Sequence, residues 1–141
     1  MLKKIVMATL LTLSSTAMAQ EFNLKENMLQ LNAEMLDVRN GFMISDPDLV
    51  KVSILKFQRH VLDLLGDKKT FEQMLPKAQK HKAGEAIMSA NIINYNVEII
   101  LDTISNKKNQ SGLTRREVSQ RAYSYIEQAC FRCHNLVRDK Y

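Results

Sequence analysis

Several residue types are scarce in this chain of 141 residues, which has no tryptophan, two prolines, two cysteines and four glycines. So few turn-forming residues argue against a turn-rich β-sandwich or β-barrel, and against disorder. Two cysteines are too few for a disulfide scaffold. Apolar residues make up 45% of the chain and charged residues 25%, which is the composition of one ordinary globular domain.

A strong excess of one charge is also absent. Lys and Arg number 20 against 15 Asp and Glu. The chain has no arginine-rich run and no regularly interleaved aromatic residues. A mild basic excess without those features argues against a nucleic acid as partner.

No apolar run is long enough to span a bilayer, but a shorter one lies near the N-terminus. Met1–Lys4 is positively charged, residues 5–13 are apolar, and Ala17-Met18-Ala19 is a small-x-small triplet. This order is typical of a secretory signal peptide at residues 1–19, cleaved before Gln20. We therefore expect one exported domain at residues 20–141 without a membrane span, periplasmic in a Gram-negative source. A membrane anchor or a buried first helix is the alternative.

The rest of the chain has the periodicity of helices. Apolar residues recur at three- and four-residue steps in four segments, about residues 24–42, 47–65, 82–105 and 114 to near the C-terminus. Asp46 and Pro47 begin the second segment as N-cap and first helical residue, and Thr114 and Glu117 form a capping box for the last. Residues 71–76 are expected to form one short turn, ended by Pro76. Short connections between four amphipathic helices favour an all-α fold, an antiparallel up-down-up-down four-helix bundle. The stripe expected to face the core on the last helix is Val118, Ala122, Tyr125, Ala129 and Leu136.

The most informative motif uses both cysteines. Cys130-Phe131-Arg132-Cys133-His134 has two thiols three positions apart and an imidazole directly after them, which matches the attachment motif of c-type haem. Thiols at i and i+3 on a helix reach the two haem vinyl groups, and the adjacent His projects toward the iron as its proximal ligand. The sequence therefore predicts one covalently bound haem c, held by Cys130, Cys133 and His134.

Three other interpretations of the motif compete. A thioredoxin-like redox pair lies at a helix N-terminus in a βαβ setting, whereas this pair lies near a helix C-terminus, where the helix dipole has the wrong sign. A structural zinc site needs four ligands, and the chain has no second Cys/His pair. A disulfide between residues i and i+3 would distort the helix. Haem attachment agrees best with the export signal and the helical periodicity.

In these residues the chain resembles the cytochrome c-prime type family, which are exported four-helix bundles with one haem attached near the end of the last helix. The likeness is concentrated in residues 130–138. The family tends to have a basic residue before the second Cys, as Arg132 is here. It also favours an aromatic-Arg pair after the His, of which Arg138 matches and Val137 does not. The resemblance implies that Arg138 contacts the haem. The family often has an Arg on helix 1 near a haem propionate, and no residue here is a clear equivalent.

The residues opposite His134 decide between two functions. In an antiparallel bundle the start of the first helix lies beside the end of the last, so His134 faces Met28, Leu31 and Met35. A Met thioether as sixth ligand, with Met28 ahead of Met35 on axial level, would give a low-spin iron suited to electron transfer. If Leu31 fills this space, the iron stays five-coordinate and binds a small gas. Both branches exist in the family, and Met at this spacing is also ordinary core packing.

The sequence therefore predicts an exported monohaem c-type cytochrome that carries out one-electron transfer and is not an enzyme. The alternative is a five-coordinate haem protein that binds NO or CO without an electron-carrier role. His60 falls on the polar side of the second helix and His81 lies between two lysines, so we expect both to be solvated.

Two weaker patterns concern partners. Basic residues expected at the haem end would favour docking of a redox partner with an acidic surface, and a solvated lysine-rich loop diluted by acidic residues is the alternative. They are Lys68, Lys69, Lys77, Lys80, Lys82, Arg132, Arg138 and Lys140. A second apolar stripe on the third helix suggests a homodimer, unless the connector after the second helix covers it. This stripe is Met88, Ile92, Tyr95 and Ile99.

Overall fold

A computed structural model describes residues 24–137, and within this range the chain is all-α, as predicted, with no β-strand. The predicted signal peptide at residues 1–19 and Arg138 lie outside the described residues. None of the described helices is long and apolar enough to cross a membrane. The helices are α1 (Leu24–Met43), α2 (Pro47–Leu65), α3 (Lys68–Met74), a 3₁₀ segment (Lys77–Lys82), α4 (Ala83–Ser105) and α5 (Gly112–Val137).

A tight turn joins α1 to α2 and brings the two helices close together. Asp46 caps α2, because its Oδ1 accepts hydrogen bonds from the backbone N–H groups of residues 48 and 49 at 3.0 and 2.9 Å. Pro47 follows as the first helical residue, so the predicted start of this helix is confirmed. Gly41 lies against Val50, where a Cβ would be 2.8 Å from Val50 Cγ2. Only glycine allows this close approach.

The connector after α2 is more regular than the sequence indicates. It contains the seven-residue helix α3 rather than one short turn. Asp67 caps this helix through hydrogen bonds from the backbone N–H and the hydroxyl of Thr70, at 2.8 and 2.6 Å. Phe71 is buried in the core, and Pro76 prevents the helix from continuing. The apolar Phe71 side chain explains why this segment packs as a helix rather than lying in solvent.

The predicted capping box of the last helix is wrong. The helix begins at Gly112, before the box formed by Thr114 and Glu117. Ser111 takes the capping role instead, because its Oγ accepts a hydrogen bond from the Thr114 N–H at 3.1 Å. The Ser111 hydroxyl, three residues before Thr114, therefore caps the helix in place of the predicted Thr114. Arg115 joins α5 to α4 by donating to two carbonyls of the last turn of α4, both at 3.0 Å.

The core-facing side of α5 also differs from the predicted stripe. Tyr125 is 49% exposed and Leu136 41% exposed, so both predictions are wrong, while Ala122 and Ala129 are buried as expected. The sequence stripe steps over Ile126, whose large side chain is fully buried. The buried residues of α5 are Ser119, Ala122, Ile126, Ala129, Cys133 and Val137. Cys133 therefore belongs to the core-facing stripe.

The helices leave a gap between α1 and α5. The pairs α1–α2, α2–α4 and α4–α5 approach closely along their backbones, whereas α1 and α5 do not. Tyr123 bridges them over part of their length. Its ring lies 5.7 Å from that of Phe42 in a T-shaped contact, and its hydroxyl donates to the Met35 carbonyl at 3.4 Å. The rest of this gap forms a cleft.

Candidate functional site

The cleft between α1 and α5 has a volume of about 210 Å³, and its floor is formed by α2 and α4. It contains both cysteines of the motif and the imidazole that follows them. The α1 residues expected opposite this imidazole line the same cleft. The predicted site residues brought together in this way are Met28, Leu31, Met35, Cys130, Cys133 and His134. Of the predicted site, only Arg138 lies outside the described residues.

The helical periodicity of α5 presents the motif to the cleft. Cys133 is 6% exposed because it continues the buried stripe, and Cys130 and His134 flank it as half-buried residues. The two residues between the cysteines lie further out. Arg132 forms an ion pair with Glu85 at the start of α4, with Nη2 and Oε2 3.5 Å apart. The side chains suited to haem attachment thus face the cleft, and the intervening charge faces solvent.

Both thiols are free and held in the neutral form. Burial raises the pKa of Cys130 to about 11, and the neighbouring Cys133 and Glu127 add to this effect. Burial also raises the pKa of Cys133, although the nearby Ser89 hydroxyl opposes it. The two cysteines are not joined by a disulfide. Thioredoxin-like cysteines have a depressed thiol pKa, so this environment argues against that interpretation.

The donor set of the cleft does not resemble a zinc site. Within residues 24–137, no three or more His, Cys, Asp and Glu side chains come together in a group that could hold a metal ion. A structural zinc ion needs four such ligands. Two thiols and one adjacent imidazole fit a haem, which brings its own four ring nitrogens to the iron. The residues present therefore fit the predicted cofactor.

Polar residues that the sequence interpretation missed also line the cleft, from both of its sides. Arg39 lines it from α1, and Tyr123 and Glu127 line it from α5. Burial, and then the neighbouring Glu127, raise the pKa of Tyr123 to about 12, although the charge of Arg39 opposes this effect. Arg39 is the one arginine in α1 and follows Met35 by four residues, so it shares a helix face with a predicted site residue. That spacing is the signal that would have identified it.

His60 is not solvated, and this expectation is wrong. Its side chain is 16% exposed and lies between α2 and α1. Nδ1 is 3.2 Å from Glu34 Oε2, and Nε2 is 2.9 Å from Asn27 Oδ1. The helical periodicity places His60 on the polar face of α2, but it gives no information on polar partners from another helix. His81 is exposed, as expected.

The second apolar stripe of α4 is divided by the fold. Ile92 and Ile99 are half-buried against the core, whereas Met88 and Tyr95 are 45% and 67% exposed. The apolar surface available to a partner is therefore smaller than the sequence stripe suggests.

No protein-family model, curated protein or solved structure matches the chain. Its function is therefore inferred from the motif and from the geometry of the cleft.

Proposed function

We propose that the chain is an exported, periplasmic monohaem c-type cytochrome that transfers single electrons and is not an enzyme. The observation that carries this proposal is the convergence of Cys130, Cys133 and His134 with Met28 on one apolar cleft. A bound haem supplies the one-electron chemistry, and the protein supplies attachment, orientation and a shielded environment.

The proposed architecture is an antiparallel up-down-up-down bundle of α1, α2, α4 and α5. Short connections support it, since residues 44–46 join α1 to α2 and residues 106–111 join α4 to α5. The contacts at the two ends of the molecule also support it. Met28 near the start of α1 lines the same cleft as His134 near the end of α5. The end of α1 shares a second cleft with the start of α5.

The two thiols would attach the cofactor without an oxidant. Each thiol would add across one vinyl double bond, with sulfur bonding to one carbon and hydrogen to the other. Cys130 and Cys133 are suited to this addition because neither is in a disulfide and both line the cleft. His134 follows directly and would act as the proximal ligand.

We propose Met28, rather than Met35, as the sixth ligand. The carbonyl of Met35 accepts a hydrogen bond from Tyr123, which precedes His134 by eleven residues, or about 16 Å of helix. Met35 therefore lies far from the level of the proximal ligand. Met28 lies two turns of α1, about 10 Å, nearer that level if the helices are antiparallel. Its thioether would give a low-spin iron with a raised potential.

Arg39 is the cation that would pair with a haem propionate. It lies on the cleft wall, and a guanidinium suits a carboxylate because it offers several donors in a fixed plane. Arg39 would thereby act as the helix 1 arginine that the family often has near a haem propionate, for which the sequence alone offers no clear equivalent.

The alternative is a five-coordinate haem protein that binds NO or CO. The specific observation in its favour is Leu31, which is 7% exposed and also lines the cleft. A branched apolar side chain over the iron would exclude Met28 and leave space for a diatomic ligand only.

A redox partner with an acidic docking surface fits the basic residues near this end of the molecule. Lys68, Lys69 and Lys77 are exposed, and the 3₁₀ segment that begins at Lys77 packs beside α5. Complementary charge would accelerate encounter with such a partner.

A homodimer through the exposed Met88 and Tyr95 is a second proposal, which sedimentation of the mature protein tests.

The first test of the proposed function is whether the chain carries a covalently attached haem. The mature protein is produced in cells with a cytochrome maturation system, and its intact mass is measured after denaturation. We expect the mass of the chain plus one haem. The Cys130→Ala, Cys133→Ala double variant should lose this covalent haem, while a His81→Ala control should keep it. A wild-type mass without haem would refute the proposal.

A further inference from the structure

A polar cluster lies between α1 and α2, outside the lining of the cleft. Its centre is Glu34, whose side chain is 3% exposed. The carboxylate lies 3.6 Å from Lys56 Nζ and 3.2 Å from His60 Nδ1, and it accepts a hydrogen bond from Gln30 Nε2 at 3.1 Å. A buried carboxylate is costly unless it is paired and hydrogen-bonded. These partners allow Glu34 to occupy the interface.

His60 makes a second contact that does not involve the Glu34 carboxylate. Its second ring nitrogen, Nε2, lies 2.9 Å from Asn27 Oδ1. Asn27 and Glu34 are seven residues apart, which is two helical turns or about 10 Å along α1. The single imidazole of His60 on α2 therefore contacts α1 at two positions that are two helical turns apart.

The segment between these two contacts carries the residues opposite His134. Met28 and Leu31 both lie between Asn27 and Glu34 in the chain and line the cleft. On the cleft side, α1 does not approach α5 closely, so α2 provides the main contacts that fix this segment. A rotation or axial shift of α1 relative to α2 would move both side chains.

We propose that His60 is a positioning residue that fixes residues 27–34 of α1 on α2 and thereby places Met28 and Leu31 at the cleft. The part concerning iron ligation rests on the proposed function, whereas the fixing of α1 does not. Lys56 lacks this role. Of Asn27 and Glu34, it contacts only Glu34, and its side chain is 63% exposed. It is therefore the matched control, since removing it disturbs Glu34 but leaves the imidazole bridge.

Hydrogen exchange of the purified mature chain tests the fixing of α1. In His60→Ala, the amides of residues 27–34 should exchange about tenfold faster, because both polar contacts of the imidazole with α1 are lost. In Lys56→Ala and His81→Ala these amides should change less than about twofold. Equal acceleration in Lys56→Ala, or acceleration spread evenly over all helices of His60→Ala, would overturn the proposal. If His60→Ala does not fold, Asn27→Ala removes one arm of the bridge and should accelerate exchange in the first two turns of α1 selectively.

Spectroscopy of the haem-loaded protein tests the effect on Met28. Loss of the bridge should increase the five-coordinate, high-spin fraction and lower the reduction potential, while His81→Ala matches the wild type. If Met28→Ala changes the wild-type spectrum but His60→Ala does not, the positioning role is overturned and the proposed function stands. If the wild type carries no haem, the proposed function fails and the exchange result still decides whether His60 fixes α1.

Discussion

Alkaline pH should destabilise the haem-free chain through the Cys130 thiol. Burial, followed by the effects of Cys133 and Glu127, raises the pKa of Cys130 from 9.0 to about 11. Between these values the folded chain keeps a proton that the unfolded chain releases. Because the folded state binds more protons in this range, the free energy of unfolding falls as pH rises. The contribution is fully present below about pH 9 and is lost as pH rises through about 11.

The magnitude follows from the two pKa values. At about pH 10 the unfolded thiol is mostly deprotonated and the folded thiol mostly protonated, which corresponds to a loss of about 1.4 kcal/mol. The thiol is only half-buried by area, so solvent screening reduces this value. We expect a loss of about 1 kcal/mol from Cys130 at this pH.

Urea unfolding under reducing conditions measures this contribution. The haem-free mature chain and its Cys130→Ala variant are compared near neutral pH and at about pH 10. The wild type should lose about 1 kcal/mol more than the variant between the two conditions. Equal losses in both proteins would show that Cys130 titrates normally in the folded chain and would refute the reasoning. In the haem-loaded wild type the contribution should disappear, because a thioether has no proton to lose.

Substitutions at three further positions test the packing and capping of the helices, each by urea unfolding at neutral pH. Gly41→Ala should destabilise the chain by about 1 to 3 kcal/mol, since its Cβ would meet Val50; an unchanged midpoint would mean that α1 and α2 separate at no cost. Asp46→Ala should cost about 1 kcal/mol by removing the cap of α2, and Asp46→Asn should retain most of that stability. Tyr123→Phe should cost about 0.5 kcal/mol through the lost hydrogen bond to Met35, and a loss above about 2 kcal/mol would contradict the weak bond inferred from its length.

Local signals predicted α2 well because they do not depend on the rest of the chain. Asp46 and Pro47 define its start through the geometry of the first turn. The start of α5 was less predictable, since Ser111 and Thr114 both offer a capping oxygen and their choice depends on how α5 meets α4. The buried face of α5 required knowing that Ile126 packs inward. Neighbouring helices decide this, and a single-helix stripe cannot.

The candidate site was predictable on α5 and in part on α1. Cys130, Cys133 and His134 can be proposed from the sequence because the chemistry of haem attachment depends on spacing within one helix. Arg39 was missed although it follows Met35 by four residues, because that spacing gains weight only when α1 and α5 are seen to face each other across the cleft. His60 was misassigned for a related reason, since a polar residue on a predicted outer face can meet a buried acid on the next helix.

The optical spectrum of the mature protein, oxidised and then reduced with dithionite, tests the central claim most directly. We predict the spectrum of a c-type haem, with sharp and separate reduced α and β bands and the ferric band typical of Met–His ligation. Met28→Ala should abolish that ferric band, and Met35→Ala should leave it unchanged. A protein without haem absorption, from cells that mature other c-type cytochromes, would contradict the account. A broad, unsplit reduced band that shifts with CO would instead support the gas-binding alternative with Leu31 over the iron.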